Sequence, residues 1–130
     1  MNQTHNTNFY EMLAAACRKN GKGTAVFNDK EKTTYDALKR EVDAVAAYLQ
    51  NMGVKFGDKV ALAVSNSPEF ISAYFAVSAI GAVAVPMNTF LKNNEYAYIL
   101  NDCKARFMFA SAGLQKELKG LKKQTRVEKI

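Results

Sequence analysis

The chain has 130 residues, 48% of them hydrophobic and 23% charged, with a formal net charge of +6. That length suits one domain or part of one, and the composition excludes an intrinsically disordered chain while leaving enough apolar material for a true core. No apolar run approaches the ~18 residues of a membrane span, so no transmembrane segment is expected.

Residues 114–130 hold six Lys/Arg against two Glu, a net of +4 that leaves only +2 for the other 113 residues. A basic terminal segment without interleaved aromatics is a solvated helix face, so no nucleic-acid partner is expected. Cys17 and Cys103 are far apart, and the single His5 lies in residues 1–7, expected to be a disordered tail. No metal site follows from such a set. The first ten residues lack the basic-then-apolar pattern of a secretory signal, and the expected address is the cytoplasm.

In chain order, residues 8–19 read as a helix with Phe9, Leu13, Ala16 and Cys17 on one face, stopped by Asn20-Gly21. A strand at 24–27, a turn at Asn28-Asp29 and an extended run at 32–34 make a small hairpin. From 35 to 52, Tyr35, Leu38, Val42, Val45, Ala46, Leu49 and Met52 recur at spacings of three and four. That places them on one helix face, with Thr33 and Thr34 as candidate caps and Gly53 as the stop. After a turn at Gly57-Asp58, residues 60–64 are apolar at every position, the mark of a strand buried on both faces.

Ser67-Pro68-Glu69 starts a helix that runs to about Ile80, burying Phe70, Ile71, Tyr74 and Phe75, and Gly81 ends it. Residues 82–85 form the next buried strand, which Pro86 halts because it has no N–H to donate. Asn93-Asn94-Glu95 caps a helix through about Leu100, 106–110 is a further strand, and 112–123 a last amphipathic helix. Strand and helix alternate from residue 60 onward, which predicts crossover connections and a parallel sheet. The closing "TRVEKI" reads as the approach to one more strand.

Catalytic signatures are absent. Gly21-Lys22 lacks the earlier glycine of a phosphate loop, and there is no G-x-G-x-x-G fingerprint or G-x-S-x-G elbow. A Ser-His-Asp triad would need a His in the ordered part of the chain. The carboxylates at Asp29/Glu31 and Glu41/Asp43 sit on a turn and on the polar side of a helix, where they are solvated.

The pieces that remain are informative in their order. Thr34-Tyr35 with Leu38 precedes a long helix, followed by Gly53-Val54, Gly57-Asp58 and Val60. Then come Asn66-Ser67-Pro68-Glu69-Phe70, Gly81-Ala82-Val83 with Val85-Pro86-Met87-Asn88, and Glu95 with Tyr98-Ile99-Leu100-Asn101-Asp102. Over roughly residues 24–112 this resembles the N-terminal part of the adenylate-forming, AMP-binding enzymes, and within them the acyl-CoA ligases. Two departures stand out. Ala37 occupies a position where relatives often place Glu, which removes a reciprocal capping contact. "NTFLKNNE" replaces the commoner Asn-Pro-x-x-Thr run before the helix acid.

The resemblance implies an α/β fold: a mostly parallel sheet with helices on both faces, preceded by a helix and a small β-hairpin. Residues 1–130 would be a partial N-terminal domain of a ligase. It implies a reaction in which a carboxylic acid and ATP, with Mg²⁺, form an acyl-adenylate and pyrophosphate, and coenzyme A then displaces AMP. The family's phosphate loop, Tyr-Gly-x-Thr-Glu segment, hinge acid and catalytic Lys have no counterpart here. The chain is therefore expected to be scaffold, with no catalytic residue and no cofactor of its own, completed by the remainder of its own polypeptide. By position, Met87, Asn88 and Thr89 would edge the coenzyme A groove, against the plainer reading of a loop that caps the sheet edge.

Alternatives are an adenylating relative with a carrier-protein thiol as acceptor, and a stand-alone α/β binding or interaction module. Apolar surface that meets the rest of a ligase would let the isolated piece self-associate.

Overall fold

The computed structural model describes residues 8–130; the expected tail and His5 lie outside the described residues. Helix α1 (Phe9–Asn20) starts where the Asn8 side chain accepts the Glu11 N–H at 2.9 Å. Strands β1 (Thr24–Asn28) and β2 (Glu31–Thr34) form the expected antiparallel hairpin. Helix α2 (Tyr35–Asn51) is capped by Thr34, whose hydroxyl accepts the Ala37 N–H at 3.2 Å, so the cap survives without an acid at position 37.

Strands β3 (Lys59–Ala63), β4 (Val83–Pro86) and β5 (Phe107–Ala110) form a parallel sheet in the order β4-β3-β5. Helix α3 (Pro68–Ala79) crosses from β3 to β4, and α4 (Asn93–Cys103) crosses from β4 to β5. The central strand divides the core by its alternation. Val60 and Leu62 pack with α1, α2 and α3, whereas Ala61 and Ala63 pack with α4 and the C-terminal helical turns. Helices thus cover both faces, as the strand–helix alternation requires. Each large side chain fully buried here, such as Leu49, Leu62 or Phe107, contributes about 1.5–3 kcal/mol of transfer free energy.

Five expectations are corrected. The last helix, expected over 112–123, is broken into a 3₁₀ turn (Ala112–Leu114), α5 (Gln115–Leu118) and α6 (Leu121–Gln124). Gly120 takes a φ of +80°, and the Asn93 amide draws off the carbonyls of Glu117 and Lys119 at 2.7 and 3.0 Å. Asn93 is accordingly not a cap; α4 is capped at Lys92, whose N–H is bonded by the Glu95 carboxylate at 2.8 Å.

On α3 the residues turned fully inward are Ser72, Ala73, Ala76 and Val77, while Phe70, Ile71, Tyr74 and Phe75 are half-buried. Small residues let the helix sit close to the sheet, and the large ones pack sideways, with Phe9 set edge-on to Tyr74 and Phe75. Finally, β4 is an edge strand and not a buried one, with Val83 46% exposed. Pro86 does not halt the ladder: the N–H groups of Val83 and Met87 reach the carbonyls of Asp58 and Leu62 at 2.8 and 3.0 Å. Pro86 falls on the intervening outward position, where no N–H is needed.

The far edge of β5 is met by the end of the chain. Glu128 donates its N–H to Arg106 O at 2.8 Å, and Met108 donates to Lys129 O at 3.0 Å. This begins the parallel pairing that "TRVEKI" suggests.

Candidate functional site at the carboxyl end of the sheet

In an open parallel sheet, ligands bind outside the carboxyl ends of strands at the point where connections leave in opposite directions. The exit of β3 leads to α3 on one face, and the exit of its neighbour β4 leads to α4 on the other. A groove of about 440 Å³ opens at that point, lined by Val64, Ser65, Asn66, Met87, Asn88, Thr89 and Phe90. A second groove of about 430 Å³, more apolar, lies between α2, α3 and the end of β5, with Val45, Ala73 and Phe109 in its wall.

The strand-exit loops that form the first groove are tied to the sheet. Ser111 donates its N–H to Ala63 O at 3.0 Å, and its hydroxyl accepts the Ser65 N–H at 3.0 Å, which joins the exits of β3 and β5. In the β4 exit, Asn88 Oδ1 accepts the Phe90 N–H at 2.9 Å. The buried Tyr96 hydroxyl donates to Asn88 O at 2.9 Å.

Within this frame the three residues expected from sequence do different things. Met87 is buried among Ala61, Ala63 and Tyr96, so its side chain belongs to the core although the residue also lines the groove. Asn88 is exposed, Thr89 is half-exposed, and the Phe90 ring stands 87% exposed at the rim. Ser65, Asn66 and Phe90 were not anticipated. They lie just past strand ends, but which exits adjoin depends on strand order, which the sequence does not carry.

The side chains of the first groove are all neutral. Amide and hydroxyl groups can donate and accept hydrogen bonds, and an exposed ring can stack. The crossover helices α3 and α4 both begin at this end, so their positive dipole ends face it. Near the second groove, hydrogen bonds from its own backbone and from Ser67 hold the Glu69 carboxyl below its usual range. Among the described residues, no group of three or more His, Cys, Asp and Glu could hold a metal ion. The set therefore fits the polar edge of an organic ligand.

Residues 13–130 match the family of AMP-binding enzymes. The chain belongs to that family. Among curated relatives, the crotonobetaine/carnitine-CoA ligase of Salmonella arizonae is 38% identical over 79 residues, 61% of this chain and 15% of that protein. The crotonobetaine/carnitine-CoA ligase of Proteus mirabilis is 40% identical over 78 residues, 60% of this chain and again 15% of the relative. The chain thus spans about 15% of the length of the curated relatives it matches.

Among solved structures, the anthranilate-CoA ligase AuaEII, in complex with anthranoyl-AMP, superposes with a TM-score of 0.88 at 29% identity, covering 95% of this chain and 25% of that one. The N-terminal domain of FACL13 from Mycobacterium tuberculosis gives 0.87 at 26% identity, covering 94% and 32%. The fold of this chain closely matches part of the N-terminal domain of AMP-binding ligases. No helix among its described residues is long and apolar enough to cross a membrane.

Proposed function

We propose that this chain is the N-terminal part of an ATP-dependent acyl-CoA ligase, which joins a carboxylic acid to coenzyme A and releases AMP and pyrophosphate. The observation that carries the reading is the groove between the exits of β3 and β4, set in a chain whose relatives are CoA ligases. In this reading the groove borders the nucleotide end of coenzyme A. Asn66, Asn88 and Thr89 supply hydrogen-bonding groups, Phe90 an apolar face, and Met87 fixes the loop from within.

In this reading ATP, Mg²⁺ and the groups that stabilise charge at the α-phosphate belong to the remainder of the polypeptide. The acceptor is read as coenzyme A and not a carrier-protein thiol because the relatives are named for it. The compartment consistent with this reading is the cytoplasm, with Cys17 and Cys103 used as half-buried packing groups.

Purified full-length protein given ATP, Mg²⁺, coenzyme A and a panel of carboxylic acids is expected to release AMP and form a thioester. Adenylate formation without any coenzyme A-dependent thioester would overturn the reading. The isolated 130-residue chain is expected to show no pyrophosphate release. It is also expected to self-associate through apolar surface such as the groove at Val45, Ala73 and Phe109, as sedimentation would report.

A further inference from the structure

The loop between β4 and α4 is shaped from beneath. Its ends are fixed by the buried Met87, whose N–H bonds Leu62 O at 3.0 Å, and by Glu95, which takes the Lys92 N–H at 2.8 Å. Between those anchors, the Asn88 carbonyl receives the Tyr96 hydroxyl at 2.9 Å. Tyr96 has no exposed surface and heads the largest fully buried side chains. An apolar side chain could fill most of that volume without burying a hydroxyl that must then be satisfied. The hydroxyl finds its partner in the one backbone carbonyl from which the exposed part of the loop departs. Burial and the nearby Glu117 charge push its pKa up, so it remains a donor throughout the neutral range.

We infer that Tyr96 is a positioning residue for the acceptor groove, its hydroxyl holding Asn88, Thr89 and Phe90 in the arrangement that receives the nucleotide end of coenzyme A. The inference rests on the proposed function. Tyr96 touches no ligand; it acts through the backbone of Asn88. Misplacing a binding group by about 1 Å can cost up to ~100-fold, and with the other anchors intact the loss of this one bond is expected to raise the KM for coenzyme A about 5-fold.

The test uses the full-length protein and two variants, Tyr96→Phe and Thr89→Trp, with coenzyme A and with pantetheine, which carries the same thiol arm without the nucleotide. Tyr96→Phe should raise the KM for coenzyme A, leave that for pantetheine unchanged, and leave acid-dependent pyrophosphate exchange unchanged. Thr89→Trp, which fills the groove directly, should raise the KM for coenzyme A more. If Thr89→Trp acts and Tyr96→Phe does not, the positioning role is overturned while the groove assignment stands. If Tyr96→Phe impairs pantetheine and coenzyme A alike, the hydroxyl is merely structural and the inference fails. If neither variant changes the KM for coenzyme A, the groove assignment fails and the inference with it.

Discussion

The two ends of the parallel sheet are built from opposite chemistry. At the amino end, Arg106 spans Asp58 at 3.2 Å and Glu128 at 2.8 Å, so that the starts of β3 and β5 and the end of the chain share one ion cluster. Gly57 donates its N–H to Gly81 O at 2.9 Å, and the Phe56 ring lies against Gly81, which closes the turn into β4. At the carboxyl end there are two grooves, the first lined by neutral side chains alone, and loops tied by hydrogen bonds between neutral groups. Charge and tight turns lock the amino end. The end left open carries groups that can exchange water for a ligand, on loops held by a rigid scaffold.

The comparison can be broken at its shared centre. Leu62→Ala removes a fully buried side chain of β3 and should cost about 3 kcal/mol, seen as a lower urea midpoint, with both ends loosened together. Gly81→Ala should cost about 1–2 kcal/mol, because φ is +70° there and an added Cβ would press on the Phe56 ring, which must swing away. That loss should be confined to the amino end, leaving the amides of 87–90 as protected as before.

Arg106→Gln sharpens the contrast further. It should speed hydrogen exchange at the Glu128 and Met108 amides and leave the Met87 and Ser111 amides unchanged. Acid should do the same by another route. The hydrogen bonds from Arg106 hold the Glu128 carboxyl below its usual range. Its contribution is therefore complete above the ordinary carboxylate pKa of about 4.3 and is lost as pH falls through the lower folded value. The groove, lined by groups that do not titrate in this window, should keep its exchange pattern. The smallest effect is expected from Ser111→Ala, about 0.5–1 kcal/mol, through the lost acceptor for the Ser65 N–H.

Much of this architecture was legible in the sequence, because periodicity reports burial directly. The three- and four-residue spacing of Leu38, Val42, Ala46 and Leu49 gave α2, and the unbroken apolar run at 60–64 gave the central strand with helices on both faces. What stayed hidden depends on neighbours distant in the chain. Residues 82–85 look like a buried strand halted by Pro86, yet strand order puts them at an edge, where Val83 is exposed and Pro86 is harmless. The helix expected at 112–123 has adequate local periodicity, but Asn93, more than twenty residues earlier, takes its carbonyls where Gly120 allows a turn. The resemblance directed attention to Met87, Asn88 and Thr89, and all three do line one groove. Their partners Ser65, Asn66 and Phe90, and the support from Tyr96, follow only from the pairing of β3 with β4.

The most direct test of the account is hydrogen exchange of the full-length protein with and without coenzyme A. Protection is predicted at residues 64–66 and 87–90, with none at the amino-end amides of Met108 and Glu128. Saturating coenzyme A that leaves 64–66 and 87–90 unprotected would contradict it.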